Sequence, residues 1–320
     1  MITGRELFTK FLKGEPLERP PFVPLIRGLT ARVEGLAQEA IHSDPTLWAN
    51  CLAKTTELFD FDGLVAGFDF SLMAEACGCR IKWENDRPRI AALPEALCQT
   101  PEESGRMKNA LETAGRVFQV CRARRACVAA LTGPVTLAHQ LFGREEGEKR
   151  LMEVKQLVVR VTEAFCRIRP DVLVFMEGRP LALAEPTAAH RRLYQTLKNI
   201  TSYYNLSDAL YLQGYRPQEV GSFASLKMDI YILGPSQDQG LPPLSALWDL
   251  GAEARGIGIG LPMSDIPKAR EVIQQGVDWY GAKGRKSFFF TSFGPVTREV
   301  HLETLQQLIR EINQVRLTDR

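Results

Sequence analysis

The chain has no surplus of charge of either sign: 40 Lys and Arg residues face 38 Asp and Glu over 320 residues, a formal net charge of +2. The composition thus carries no electrostatic footprint for nucleic acid or an anionic membrane. It also has no apolar run of the roughly 20 residues needed to cross a bilayer. Arg5, Glu6, Lys10 and Lys13 occupy the stretch where a secretory leader needs apolar residues. The sequence therefore predicts a soluble, cytoplasmic protein. Cysteine is limited to seven residues, an odd number without a secreted-scaffold pattern, which predicts reduced thiols. Cys77-Gly78-Cys79 has no second Cys or His pair nearby and lacks structural zinc spacing, so packed thiols are expected there. Low-complexity segments, and linkers rich in Gly, Ser or Pro, are missing too. One domain over residues 1–320 is expected.

What the chain does have is eight short apolar segments, each bracketed by turn residues and followed by a helix-like stretch. They are Phe22–Ile26, Gly63–Gly67, Cys127–Gly133, Asp171–Glu177, Ala209–Gly214, Met228–Gly234, Gly256–Leu261 and Ser287–Ser292. Most are continuous hydrophobic runs, as expected for parallel strands buried on both faces. Eight such units predict an α/β fold, a (β/α)8 TIM barrel, with chemistry at the C-terminal ends of the strands. Thr3 and Glu6 form a capping-box pattern ahead of Leu7, Phe8 and Phe11, and Gly14 is a stop signal, so a helical extension precedes the first strand. Cys79–Ala92, with Asn85 and Asp86 at its centre, reads as a β-hairpin inserted after strand 2. Residues 101–122 and 135–169 read as helical, the second stretch interrupted near Gly143 to Gly147.

Position at the strand ends selects candidate functional residues. Asp69 lies just past the second segment, where an acid can bind a cation or exchange a proton, or simply bond its own loop. Arg27 follows the first segment and Arg32 lies five residues on. Their donor forks suit carboxylates, and as loop residues they are equally at home in solvent. Glu177 ends the fourth segment, with Glu185 and His190 further along, a set that could hold zinc but has no tight motif spacing. His139, early in the helix after TGPVT, is either a proton shuttle or a packed rim residue. The glycines of GIGIG lie inside a strand and lack dinucleotide-binding spacing.

Three segments together resemble the uroporphyrinogen decarboxylase superfamily: TGRELFTKFLKGEPLERPPFVP, GFDFSLMAEACGC and LTGPVTLAHQLFG. Within it, FD followed by AEA and GC is closer to the corrinoid-linked, cobamide-dependent methyltransferases than to the decarboxylases. The resemblance implies a barrel that moves a methyl group between a small substrate and the corrinoid, a methylcobalamin-type cofactor supplied by a separate carrier protein. Asp69 falls where decarboxylases keep the aspartate that binds pyrrole nitrogens, and Arg27 and Arg32 resemble their arginine pair with GLTA in place of QAG between them. Gln140 stands near their tyrosine, and Ser292 near their late histidine.

Thiol-acting methyltransferases carry a His-x-Cys-Gly zinc motif at the end of the fifth strand. This chain has Tyr211, Leu212, Gln213 and Gly214 there, and tyrosine and glutamine are poor zinc ligands, so no zinc is expected at that site. On the resemblance, Asp69 and Glu177 would position or protonate the methyl donor or acceptor. Arg27 and Arg32 would bind anionic substituents, and Tyr211 and Gln213 would line the floor, with His139, Gln140 and Ser292 as further substrate contacts. The chain has no corrinoid-binding DxHxxG segment of its own, which implies the partner. A divergent decarboxylase in tetrapyrrole biosynthesis and a non-catalytic tetrapyrrole- or corrinoid-binding protein are the alternatives.

Overall fold

The computed structural model describes residues 2–182, 185–238, 240, 250, 254–282 and 287–317. Its strands are β1 (Gly63–Ala66), β2 (Arg80–Glu84), β3 (Arg87–Ala92), β4 (Ala126–Thr132), β5 (Val172–Glu177), β6 (Ser207–Leu212), β7 (Ile230–Leu233), β8 (Gly256–Leu261) and β9 (Ser287–Ser292). Strands β2 and β3 pair with each other, and the other seven form one parallel sheet in the order β1-β4-β5-β6-β7-β8-β9. Every residue of those seven strands is buried. With both faces covered, continuous apolar runs replace the alternation of a half-exposed sheet.

Seven of the eight expected segments are strands, and the first is not. Of Phe22–Ile26 only Phe22 pairs, in a parallel bridge to Phe290. Pro20, Pro21 and Pro24 withhold amide donors here, so a ladder cannot run along the segment. Its remaining groups bond on both sides: Val23 N–H donates to Phe290 O at 2.9 Å, and Phe22 O accepts from Asp62 N–H, next to β1, at 3.0 Å. Extended chain thus joins both edges of the curled sheet.

The helices are α1 (Gly4–Lys13), α2 (Arg27–Glu34), α3 (Gln38–Ser43), α4 (Pro45–Leu58), α5 (Leu72–Ala76), α6 (Gly105–Cys121), α7 (Pro134–Lys149), α8 (Leu151–Ile168), α9 (Arg179–Ala182), α10 (Ala188–Tyr203), α11 (Ile266–Ala282) and α12 (Leu302–Gln314). Among the described residues none is long and apolar enough to cross a membrane. In α1 the Thr3–Glu6 capping box is formed and Gly14 ends the helix at φ 68°. Its buried Phe8 and Phe11 rings lie 5.5 and 5.1 Å from Phe289, which seats α1 across the N-terminal ends of the strands. The other end of the sheet is left for a site.

The hairpin turns at Asn85 and Asp86, both left-handed at φ 49° and 62°, the pair of positive φ values that a tight two-residue turn needs. Asp86 Oδ1 then accepts from Gln38 N–H at 2.7 Å, tying the hairpin tip to the start of α3. Gly143, at φ 79° and ψ 176°, breaks α7 in the stretch where an interruption was expected.

Candidate functional site

Two carboxylates at the C-terminal strand ends organise the site, and each is buried. Asp69, three residues past β1, is 2% exposed. Its Oδ1 accepts from Ser71 N–H and Ser71 Oγ, both at 2.8 Å, and its Oδ2 accepts from Arg106 Nη1 at 2.6 Å. Arg27 Nη1 lies 3.8 Å from Oδ1. Burial alone would raise the Asp69 pKa, but Arg106, Arg27 and the Ser71 amide together hold it below the usual carboxylate value.

Arg106 is the centre of this network. It donates from Nε to Glu75 Oε2 at 2.5 Å and from Nη2 to Ser71 Oγ at 3.1 Å. Its guanidinium carbon lies 5.1 Å from the centre of the Trp83 ring of the hairpin. His42, stacked on Trp48 at 4.0 Å, places Nδ1 at 3.5 Å from Arg106 Nη1. Burial first, and then Arg106 and Arg27 against the pull of Asp69, push the His42 pKa down to about 3, so the imidazole is neutral.

Sequence reading missed Arg106 and His42. One signal for Arg106 was present: a cation in the first turn of α6 opposes the helix dipole, so it calls for an acid brought from elsewhere in the chain.

Glu177, at the end of β5, is fully buried at the start of α7. Its Oε1 accepts from Val135 N–H at 3.0 Å and from the Tyr194 hydroxyl at 2.5 Å. Its Oε2 accepts from Thr136 N–H at 2.7 Å and from the Thr136 hydroxyl. The free amides of the α7 N-terminus supply an anion seat, and Glu177 fills it. Burial raises its pKa, against the four hydrogen bonds that favour the charged form. Those donors occupy all the lone-pair positions of a carboxylate. Among the described residues no ion pair joins Glu177 to Arg179. Gly133 is required beside it, because a Cβ there would stand 2.3 Å from Glu177 Oε1.

Between these centres lies an aromatic floor. The Tyr211 ring meets Phe68 at 5.8 Å and Phe70 at 6.5 Å. The Phe70 carbonyl accepts from Thr132 Oγ1 at 3.1 Å and from Gln140 Nε2 at 2.9 Å. That orients the Gln140 amide, and its Oε1 is buried with no partner. The Tyr211 hydroxyl is likewise buried and unpartnered, and burial raises its pKa above the ordinary phenol value. Below the floor, a small apolar cavity between the strands is lined by Phe68, Tyr211, Phe8 and Phe289 among others.

The other expected contacts separate. Arg27 opens α2 rather than a loop and reaches the Asp69 network, while Arg32 is exposed and takes no part in it. Ser292 Oγ accepts from Leu25 N–H at 2.9 Å, stitching the extended segment to β9. Gln213 is half-buried, with its backbone N–H bonded to Glu177 O at 3.0 Å. His139 Nε2 is 4.0 Å from Glu148 Oε2 and makes no hydrogen bond, and burial lowers its pKa. His190 Nδ1 accepts from Thr187 N–H at 3.1 Å, and its Nε2 stands 3.0 Å from Glu148 Oε1. Glu177, Glu185 and His190 are therefore not assembled as a cluster, and no group of three such residues is placed to hold a metal among the described residues.

Fold and site define a barrel-type α/β protein with its polar groups at the C-terminal strand ends, some paired and some held open. Residues 3–168 match the uroporphyrinogen decarboxylase (URO-D) family, and the chain belongs to that family. No curated protein matches it by sequence. Among solved structures, a methyltransferase from Methanosarcina mazei is similar at TM-score 0.77 and 18% identity, over 98% of this chain and 99% of that one. A B12-independent methionine synthase from a Shewanella species is similar at TM-score 0.58 and 11% identity, over 84% of this chain and 86% of that one.

Proposed function

We propose that this protein is a methyltransferase of the corrinoid-linked branch, exchanging a methyl group between a small substrate and a corrinoid held by a separate carrier protein. The observation that carries the reading is the end-to-end likeness, at TM-score 0.77, to a protein that is itself a methyltransferase. Asp69 supplies the argument against the decarboxylase alternative. Its oxygens already serve Arg106 and Ser71, so the aspartate that decarboxylases turn toward pyrrole nitrogens is here committed to an ion pair.

Methyl transfer asks for a dry pocket and groups that orient donor and acceptor in line. Phe68, Phe70 and Tyr211 exclude water, while the unpartnered Tyr211 hydroxyl and Gln140 Oε1 offer one donor and one acceptor to a substrate. Asp69 positions Arg27 at the mouth, and Glu177 fixes the start of α7, and with it Thr136 and Gln140. The corrinoid on its carrier would supply a nucleophilic cobalt or a transferable methyl.

The test is spectroscopic. With a corrinoid carrier protein and a panel of methylated ethers, thioethers and amines, the protein should accelerate the change in cobalt absorbance that accompanies methylation or demethylation. Carbon dioxide release from uroporphyrinogen would establish the carboxy-lyase reading instead. Corrinoid binding without turnover on any donor would favour the non-catalytic one. Methyl transfer that needs no corrinoid would align the chain with the methionine synthases.

A further inference from the structure

The cysteines are all free thiols, and two of them, Cys77 and Cys98, meet across the base of the hairpin. The chain keeps its antiparallel course past the last partners of the β2–β3 ladder, Arg80 and Ala92. At Gly78 the two segments run so close that a Cβ there would stand 3.1 Å from Pro94 Cβ and 3.3 Å from Ala96 O. One step further, Cys98 N–H donates to Cys77 O at 3.1 Å. Antiparallel residues facing each other across such bonds have Cα atoms about 4.5–5.5 Å apart, inside the roughly 4.4–6.8 Å span that a disulfide bridges.

The two thiols have different surroundings. Cys98 is half-buried, with Sγ 3.1 Å from Ser104 Oγ and 4.0 Å from Thr100 Oγ1. The Ser104 hydroxyl also reaches Thr100 O at 3.2 Å, and it can turn to donate to a thiolate instead. That bond, supported by Thr100, lowers the Cys98 pKa against burial and Glu102, whereas burial raises every other cysteine. Cys77 is fully buried, and burial, then Cys79 and Cys98, push its thiol up to about 12. An accessible thiol that ionises beside a sheltered one that stays protonated supplies the attacking and resolving partners of a peroxide-reactive pair.

We propose that Cys98 and Cys77 form a redox-active pair, in which a peroxide oxidises Cys98 and Cys77 closes the disulfide. The Cys98 thiolate attacks one peroxide oxygen. An S–O bond forms, the O–O bond breaks and hydroxide leaves, so sulfur is oxidised to a sulfenic acid while the peroxide is reduced. The Cys77 sulfur then attacks Cys98 Sγ, the S–O bond breaks, and the departing hydroxide takes the Cys77 proton as water. Counted from the thiols, two S–H groups and one hydrogen peroxide give one disulfide and two waters. The new bond would close the hairpin at its base and draw Cys98 Sγ away from Ser104, the residue before α6. It would lie between Glu75 of α5 and Arg106 of α6, which pair at 2.5 Å, so the Asp69 network would sense it. The inference stands apart from the methyltransferase reading.

The reduced full chain and hydrogen peroxide suffice to test this, without corrinoid, carrier or turnover. The intact mass should fall by about 2 Da, for two hydrogens lost, and return with dithiothreitol. A tryptic digest should join the peptide of Cys98 to that of Cys77. Cys79 shares the latter peptide, so Cys79→Ser should keep the link. Cys77→Ser should abolish it and leave a Cys98 sulfenic acid that dimedone captures. If that buried variant fails to fold, fragmentation of the linked peptide from the parent assigns the bond. With iodoacetamide at pH 7, Cys98 should react at least about tenfold faster than Cys121, the other half-buried thiol. No mass loss, a bond from Cys98 to Cys79 or Cys121, or equal alkylation of Cys98 and Cys121 would each overturn the proposal.

Discussion

Arg106 Nη1 stands 2.6 Å from Asp69 Oδ2 with both side chains buried. The pair joins the segment after β1 to the start of α6. Removing one member of a buried pair strands the other, which typically costs about 3–5 kcal/mol, while replacing both with apolar groups costs much less. Asp69→Asn and Arg106→Met should each lower stability in urea unfolding, Arg106→Met the more because it also deprives Glu75. The double variant should lose less than the sum. Strict additivity would show that the ion pair contributes no coupling.

A second prediction concerns acid. The His42 pKa lies near 3 in the folded protein and about 6.5 in an unfolded chain. A base depressed in this way contributes stability that is complete above its unfolded pKa and is lost as pH falls from about 6.5 toward 3. By pH 5 the loss is about 2 kcal/mol, from 1.36 kcal/mol per unit. His42→Phe keeps an aromatic face against Trp48 and has nothing to protonate, so its stability should change less between pH 7 and 5. Tryptophan fluorescence during urea unfolding at the two pH values reads this directly. A parent and variant with equal pH slopes would place the acid sensitivity elsewhere.

Much of the architecture could be read from the chain because its determinants are local. Continuous apolar runs gave away seven parallel strands, and Thr3, Glu6 and Gly14 gave away both ends of α1. Phe22–Ile26 was misjudged because its apolar pattern is that of a strand while its prolines remove the ladder donors. The site was less legible, since its meaning lies in pairs far apart in sequence. Asp69 could be picked out by its position, but Arg106 lies 37 residues away and meets it only through the packing of α6. Glu177 was read from its strand end, yet its partners, Thr136 and Tyr194, come from two different helices.

Glu177 separates a structural acid from a proton donor. Glu177→Gln turns an NH₂ group toward either the Val135 or the Thr136 N–H, and although the Tyr194 and Thr136 hydroxyls can turn to accept, one backbone N–H must lose its partner at a cost of about 1–3 kcal/mol. Tyr194→Phe removes one donor from the carboxylate and should cost about 1.5–3 kcal/mol, the range for a hydrogen bond to a charged group. Both losses should appear as lower melting temperatures in the free protein. If Glu177→Gln melts with the parent but loses activity about a hundredfold or more, the acid serves the chemistry rather than α7.

The Tyr211 hydroxyl gives the last prediction, in which stability and function move in opposite directions. A buried hydroxyl with no partner carries a desolvation cost of about 1–3 kcal/mol, and nothing in the free protein repays it, since Tyr211 Oη has no hydrogen bond. Tyr211→Phe keeps the ring against Phe68 and Phe70 and deletes only the oxygen, leaving a space no larger than one atom. The variant should therefore be more stable than the parent by about 1 kcal/mol in chemical unfolding. If the hydroxyl is held open to donate to a substrate, the same change should lower methyl transfer by about ten- to a hundredfold, the worth of one polar contact at a reacting centre. A strained or unsatisfied group retained at a site while it weakens the fold is the usual mark of function. A destabilised Tyr211→Phe would mean that the hydroxyl has a partner in the free protein. A stabilised variant with full activity would remove Tyr211 from the site and leave the Gln140 Oε1, beside Phe70, as the orphaned polar group there.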